Sequence, residues 1–127
     1  MKSRNRWHSF SAAMRGAAYT IRTQRNTHIE LAAAVVVVAA GLWLRIEALA
    51  WAVLALTVAT ILALEAVNSA VEAVVDLVSP DYHELARVAK DCAAGAMIFA
   101  VLGSLAVGAA LFRPPPAGPV TPPPKRC

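Results

Sequence analysis

Apolar residues gather in three long runs, at positions 29–44, 48–64 and 92–112, with Glu30 near the start of the first as its one charged residue. Each run approaches the roughly 20 residues needed to cross a hydrocarbon layer about 30 Å thick. The second run continues, without a Pro or Gly to stop it, into a charged segment that ends at Ser79-Pro80-Asp81. A helix over 46–78 would be about 50 Å long, well beyond the membrane core, so its last turns must reach water. Leu44-Arg45-Ile46-Glu47 leaves room only for a tight connection, which makes the first two spans an antiparallel hairpin. Ahead of them, Trp7, Phe10, Met14, Ala17, Ala18 and Ile21 recur at three- and four-residue steps, with Arg15, Arg22 and Arg25 among the polar positions. That is the pattern of an amphipathic helix lying in the membrane interface. The expected fold is an all-α membrane protein, with a surface helix over 7–26 and three transmembrane helices over 29–44, 46–78 and 91–112. These make one integral-membrane domain over 1–112. Residues 113–127, with Pro114-Pro115-Pro116 and Pro122-Pro123-Pro124, read as a disordered, proline-rich tail.

Composition sharpens this picture. The 127 residues are 58% hydrophobic but only 6% aromatic, above the roughly 45–50% apolar content of soluble domains, which argues against a soluble enzyme. Cys92 and Cys127 show no metal-ligand or redox spacing. The formal charge of +4 comes from 12 Lys+Arg against 8 Asp+Glu. The basic residues precede the first span without aromatic interleaving, so membrane topology explains them and nucleic-acid binding is not expected. Lys2, Arg4, Arg6, Arg15, Arg22 and Arg25 share a side with Arg87 and Lys90, against Arg45, Arg113, Lys125 and Arg126 opposite. The bias predicts a multi-pass protein of the inner (cytoplasmic) membrane with its N-terminus in the cytoplasm.

The chemistry concentrates at the end of the second span, in Glu65-Ala66-Val67-Asn68-Ser69-Ala70-Val71-Glu72-Ala73-Val74-Val75-Asp76. At about 100° per residue, Glu65, Asn68, Glu72 and Asp76 share an arc of roughly 80° while the rest of the surface is Ala and Val. Carboxylates massed beside lipid lose hydration and repel one another unless cations compensate. Such an oxygen-only stripe suits magnesium, which takes one or two carboxylates and completes its shell with water and phosphates. The alternative is a solvated helix end. Ala89-Lys90-Asp91 sits on the same side of the membrane, where Lys90 can meet phosphate and Asp91 a metal, a ribose or the lysine. Asp81-Tyr82-His83-Glu84 occupies the connecting loop. No Gly-rich phosphate cradle occurs, which excludes P-loop and protein-kinase architectures.

These residues resemble the small integral-membrane lipid kinases of the prokaryotic diacylglycerol kinase and undecaprenol kinase family. The resemblance rests on Glu65-x-x-Asn68-Ser69-Ala70-x-Glu72-x-x-x-Asp76, Tyr82-His83-x-Leu85-Ala86 and Ala89-Lys90-Asp91-x-Ala93-Ala94-Gly95-Ala96, with Ser9-Phe10-x-x-Ala13-x-x-Gly16 in the surface helix. It implies ATP-dependent phosphorylation of a lipid alcohol, diacylglycerol or undecaprenol, at the cytoplasmic membrane face. It implies further a homotrimer whose sites are shared between subunits. By the same likeness Glu65 is the catalytic base, Glu72 a Mg2+ ligand, and Asn68 and Asp76 its orienting neighbours. Lys90, Asp91, Tyr82 and His83 are nucleotide contacts. The family places a second metal-binding Glu where this chain has Gln24, a ligand that brings an oxygen but less charge. Two other classes compete: a small proton-coupled transporter, whose carboxylates belong near mid-membrane, and a non-catalytic membrane subunit held by Ala and Gly packing.

Overall fold

Long stretches of Ala, Leu and Val, punctuated at few places, fold into helices whose ends are set by local chemistry. The computed structural model describes residues 5–114, which form α1 (Arg6–Thr23), α2 (Arg25–Leu44), α3 (Ala48–Val78) and α4 (Glu84–Leu111), with no strand among the described residues. The fold is all-α, and α2, α3 and α4 are long and apolar enough to cross a membrane. The proline-rich segment beyond Pro114 lies outside the described residues.

The α2–α3 turn is as tight as its sequence demands. Arg45 takes the left-handed conformation at φ 54°, and the Ile46 N–H donates to the Gly41 carbonyl at 3.2 Å, closing α2 in the manner of a Schellman cap. A Cβ at Gly41 would stand 2.9 Å from Trp51 and 3.0 Å from Ile46. The bare glycine therefore lets the turn residue and the first turn of α3 fold over the end of α2. At its other end α3 stops at Val78, and Ser79 leaves the helical region at φ −133° ψ 75°, because the ring of Pro80 disfavours a helical residue before it.

Helix boundaries differ from the sequence expectation: α2 begins at Arg25 rather than 29, α3 at Ala48 rather than 46, and two further differences have a local cause. The surface helix does not run to 26. It ends at Thr23, Gln24 is extended at φ −92° ψ 114°, and α2 begins at once with Arg25. Thr20, Thr23, Asn26 and Thr27 are weak helix formers, and a single extended residue among them is enough to redirect the chain from one helix axis to the next. The last helix starts at Glu84, not 91. His83 caps it by accepting the Leu85 N–H on Nδ1 at 3.1 Å, and Arg87 bridges Glu84 and Asp91 on its first turns. Residues 84–90, ahead of the expected span, are thus helical, while Asp81, Tyr82 and His83 stay in the connecting loop.

α3 packs along α4 over much of its length and touches α1 and α2 more lightly. Leu54 is the one buried hydrophobic side chain among the described residues, while Val35, Leu56, Phe99 and Leu102 are exposed. The fully buried side chains are Glu65 and Thr27. Polar groups inside and apolar groups outside is the reverse of a water-soluble core, and it is stable where lipid tails or other helices cover the outer surface.

Candidate functional site

The polar stripe on α3 grades from dry to wet. Glu65 is 0% exposed and Asn68 8%, Glu72 is half-buried, and the Asp76 side chain is 67% exposed. Steps of four residues separate Asn68, Glu72 and Asp76 by about 6 Å each along the axis, so the stripe is a ladder rather than a cage. Asn68 donates from Nδ2 to Glu72 Oε1 at 3.2 Å, which holds the Glu72 carboxylate while the Asn68 carbonyl oxygen stays unpartnered. Ser69 turns its hydroxyl back to the Glu65 carbonyl at 2.9 Å. Neither oxygen of the Glu65 carboxylate accepts a well-formed hydrogen bond; the Asn26 side chain lies near enough to donate to it, and Glu30 and Glu72 near enough to act on its charge. A wholly buried carboxylate without a partner is expensive, and such groups persist where function needs them.

α4 joins the stripe through Lys90, whose Nζ meets Asp76 Oδ1 at 2.5 Å and also lies within the field of Glu72. Both partners are well exposed, so the pair contributes little to folding. The pair keeps an ammonium group beside the carboxylate ladder. The other sequence-selected residues take different partners. Asp91 binds Arg87 at 2.6 Å, Tyr82 donates its hydroxyl to Glu84 Oε2 at 2.6 Å, and His83 is the cap of α4. Gln24 is half-buried at the joint of α1 and α2 and makes no side-chain capping bond. Among the described residues no three His, Cys, Asp or Glu side chains converge to hold a metal unaided. The oxygens the stripe offers at its half-buried level are those of Glu72, which Asn68 holds from one side, and magnesium is a cation that commonly takes only one or two protein carboxylates.

Two features were not singled out from sequence as parts of the site. An apolar cavity of about 480 Å³ opens between α2, α3 and α4, from Glu30 and Leu62 at the end nearest Glu65 to Leu54 and Ala109 at the other. The hydroxyls of Thr57 and Ser104 on its wall bond their own helix carbonyls, whereas Glu30 carries a buried carboxylate oxygen with no partner. The second feature is Thr27, 0% exposed with an unpartnered Oγ1. A signal for it existed: Thr27 and Glu65 lie equally far along the chain from Ile46, so an antiparallel hairpin turning there sets them at one level.

Comparison with known proteins gives concordant results. A family model described as prokaryotic diacylglycerol kinase matches residues 11–112. The chain is 48% identical over 108 residues to a diacylglycerol kinase of Synechocystis sp., covering 84% of this chain and 62% of that protein, so less than two thirds of that relative's length is spanned. It is 39% identical over 107 residues to an undecaprenol kinase of Bacillus subtilis, covering 84% of this chain and 86% of the relative. It is 31% identical over 100 residues to a diacylglycerol kinase of Escherichia coli, covering 73% and 82%.

Proposed function

The chain belongs to the prokaryotic diacylglycerol kinase family, and on that footing we propose that it transfers the γ-phosphoryl group of ATP to the hydroxyl of a membrane lipid alcohol, diacylglycerol or undecaprenol. The observation that carries the reading is Glu65: a fully buried carboxylate with no well-formed hydrogen bond, one helical turn beyond Leu62, which lines the end of an apolar cavity. A proton-coupled transporter has no comparable support, because the matched relatives are named as kinases.

Phosphoryl transfer depends on positioning and charge neutralisation rather than on covalent help from the protein. The lipid keeps its hydrocarbon tail in the cavity between α2, α3 and α4 and brings its hydroxyl up to Glu65. The carboxylate takes the hydroxyl proton as the oxygen attacks the γ-phosphorus, and the bond to the β–γ bridging oxygen breaks, releasing ADP. Glu72, held by Asn68, and the carboxamide oxygen of Gln24 would hold a magnesium ion on the protein side, and that ion would supply charge neutralisation for the phosphates. Lys90 leaves or shares its bond with Asp76 to meet phosphate oxygens, and Asp76 returns it to position after release. Asp91, Tyr82 and His83, at the water-facing start of α4, flank the rest of the nucleotide. The basic N-terminal segment supports a reading in which this end faces the cytoplasm of an inner-membrane protein. The large exposed apolar surface of a single chain suits a homotrimer.

Release of ADP should require both ATP and a lipid alcohol in mixed micelles, and hydrolysis at the same rate without lipid would refute the reading. Replacing Lys90 by Met should raise KM for ATP about tenfold, the cost of one charge-assisted hydrogen bond, with the melting temperature unchanged. Equal ATP dependence in the two proteins would remove Lys90 from the nucleotide site.

A further inference from the structure

Thr27 is the only described threonine whose hydroxyl has nowhere to go. Thr20, Thr23, Thr57 and Thr60 each donate to the carbonyl four residues back, at 3.1, 2.7, 2.8 and 2.7 Å, the usual refuge of a helical threonine in an apolar setting. For Thr27 the corresponding carbonyl belongs to Thr23, the last residue of α1, and the extended Gln24 between them breaks that register. The hydroxyl is left fully buried and unpartnered, in a setting where a missing hydrogen bond is costly.

Its surroundings say what is missing. Thr27 follows Asn26, which stands against the Glu65 carboxylate, and precedes by one turn Glu30, which feels Glu65 and lines the mouth of the apolar cavity beside Leu62. Glu30 and Leu62 are themselves equidistant from Ile46 along the chain, and one turn further from the hairpin bend the same register pairs Thr27 with Glu65. The buried unpartnered atoms are a hydroxyl donor, Thr27 Oγ1, and the acceptor oxygens of Glu65, Glu30 and Asn68. An alcohol meets both needs, accepting from a hydroxyl while donating to a carboxylate, and the lipid alcohol is the substrate of the reaction proposed above.

We infer that Thr27 binds the acceptor lipid, donating its hydroxyl hydrogen to the oxygen of the lipid alcohol while that alcohol donates to Glu65. The inference rests on the lipid-kinase reading above and adds to it the residue that seats the acceptor oxygen. Because the contact exists before transfer as well as during it, its loss weakens binding rather than turnover.

Thr27→Val keeps the shape and removes the hydroxyl; Thr27→Ser keeps the hydroxyl and removes a methyl. Initial rates against diacylglycerol or undecaprenol in mixed micelles, at saturating ATP, should show KM for the preferred lipid raised about tenfold in Thr27→Val, kcat within about twofold, and KM for ATP unmoved. Thr27→Ser should stay within about twofold of the native protein in all three. An unchanged lipid KM in Thr27→Val overturns the inference, as does an equal loss in both variants, which marks a packing role, or a fall in kcat alone, which marks a contact with Glu65 only. If the native protein phosphorylates neither lipid, the kinase reading itself fails; if it is active and only the Thr27 variants disagree, that reading stands and this one falls.

Discussion

Glu65→Gln is expected to lose nearly all lipid phosphorylation, with kcat down by about a hundred- to ten-thousand-fold, the range a positioned general base contributes. The two side chains have the same shape, so the space between α2 and α3 is filled as before, but an amide cannot take the hydroxyl proton. Stability should move the other way. In the native protein the Glu65 carboxylate is wholly buried and neither oxygen accepts a well-formed hydrogen bond. Removing a charge from such a place relieves a desolvation cost. The Gln variant should therefore melt in detergent at the native temperature or above it while turning over hardly at all. Stabilisation with loss of rate is the mark of a group kept for chemistry. Loss of rate together with loss of the folded state would point to a structural carboxylate, and native-like turnover would remove Glu65 from the reaction.

The second large effect is expected at Glu72. Asn68 already donates to one of its oxygens, and half-burial leaves the group within reach of ligand. Outer-shell partners of metal ligands alone contribute roughly 10- to 100-fold to metal affinity or activity, so Glu72→Ala should raise the magnesium concentration for half-maximal rate by at least about that factor. Excess magnesium should restore part of the rate, because the nucleotide carries the remaining ligands. Gln24→Glu, which adds a carboxylate at the joint of α1 and α2, should shift the titration toward lower magnesium. A titration curve indifferent to Glu72 would place the metal elsewhere.

The helices were legible because apolar runs of membrane-spanning length have few other ways to satisfy their backbone, and the stop at Pro80 follows from local sterics; the turn at Arg45 was legible in its position, while its left-handed φ is held by the cap bond to Gly41. The ends facing water were harder to read. The break at Gln24 has no Pro or Gly to announce it, and α4 gains its first turns from His83, Glu84, Arg87 and Asp91 acting as a local network that hydropathy does not register. The angular arithmetic on Glu65, Asn68, Glu72 and Asp76 put them on one face, but their gradient from buried to exposed depends on what α1, α2 and α4 cover. Thr27 passed unnoticed for a related reason. A threonine at the start of an apolar run is ordinarily satisfied by its own helix, and only the interruption just before it makes this one different.

The most direct test of a lipid-alcohol kinase centred on Glu65 is to supply γ-labelled ATP with diacylglycerol and undecaprenol together in mixed micelles and to identify the labelled product by mass. The expected result is label in phosphatidic acid or undecaprenyl phosphate, formed by the native protein and absent with Glu65→Gln. Label released only as inorganic phosphate, or carried into lipid equally well by both proteins, would contradict it.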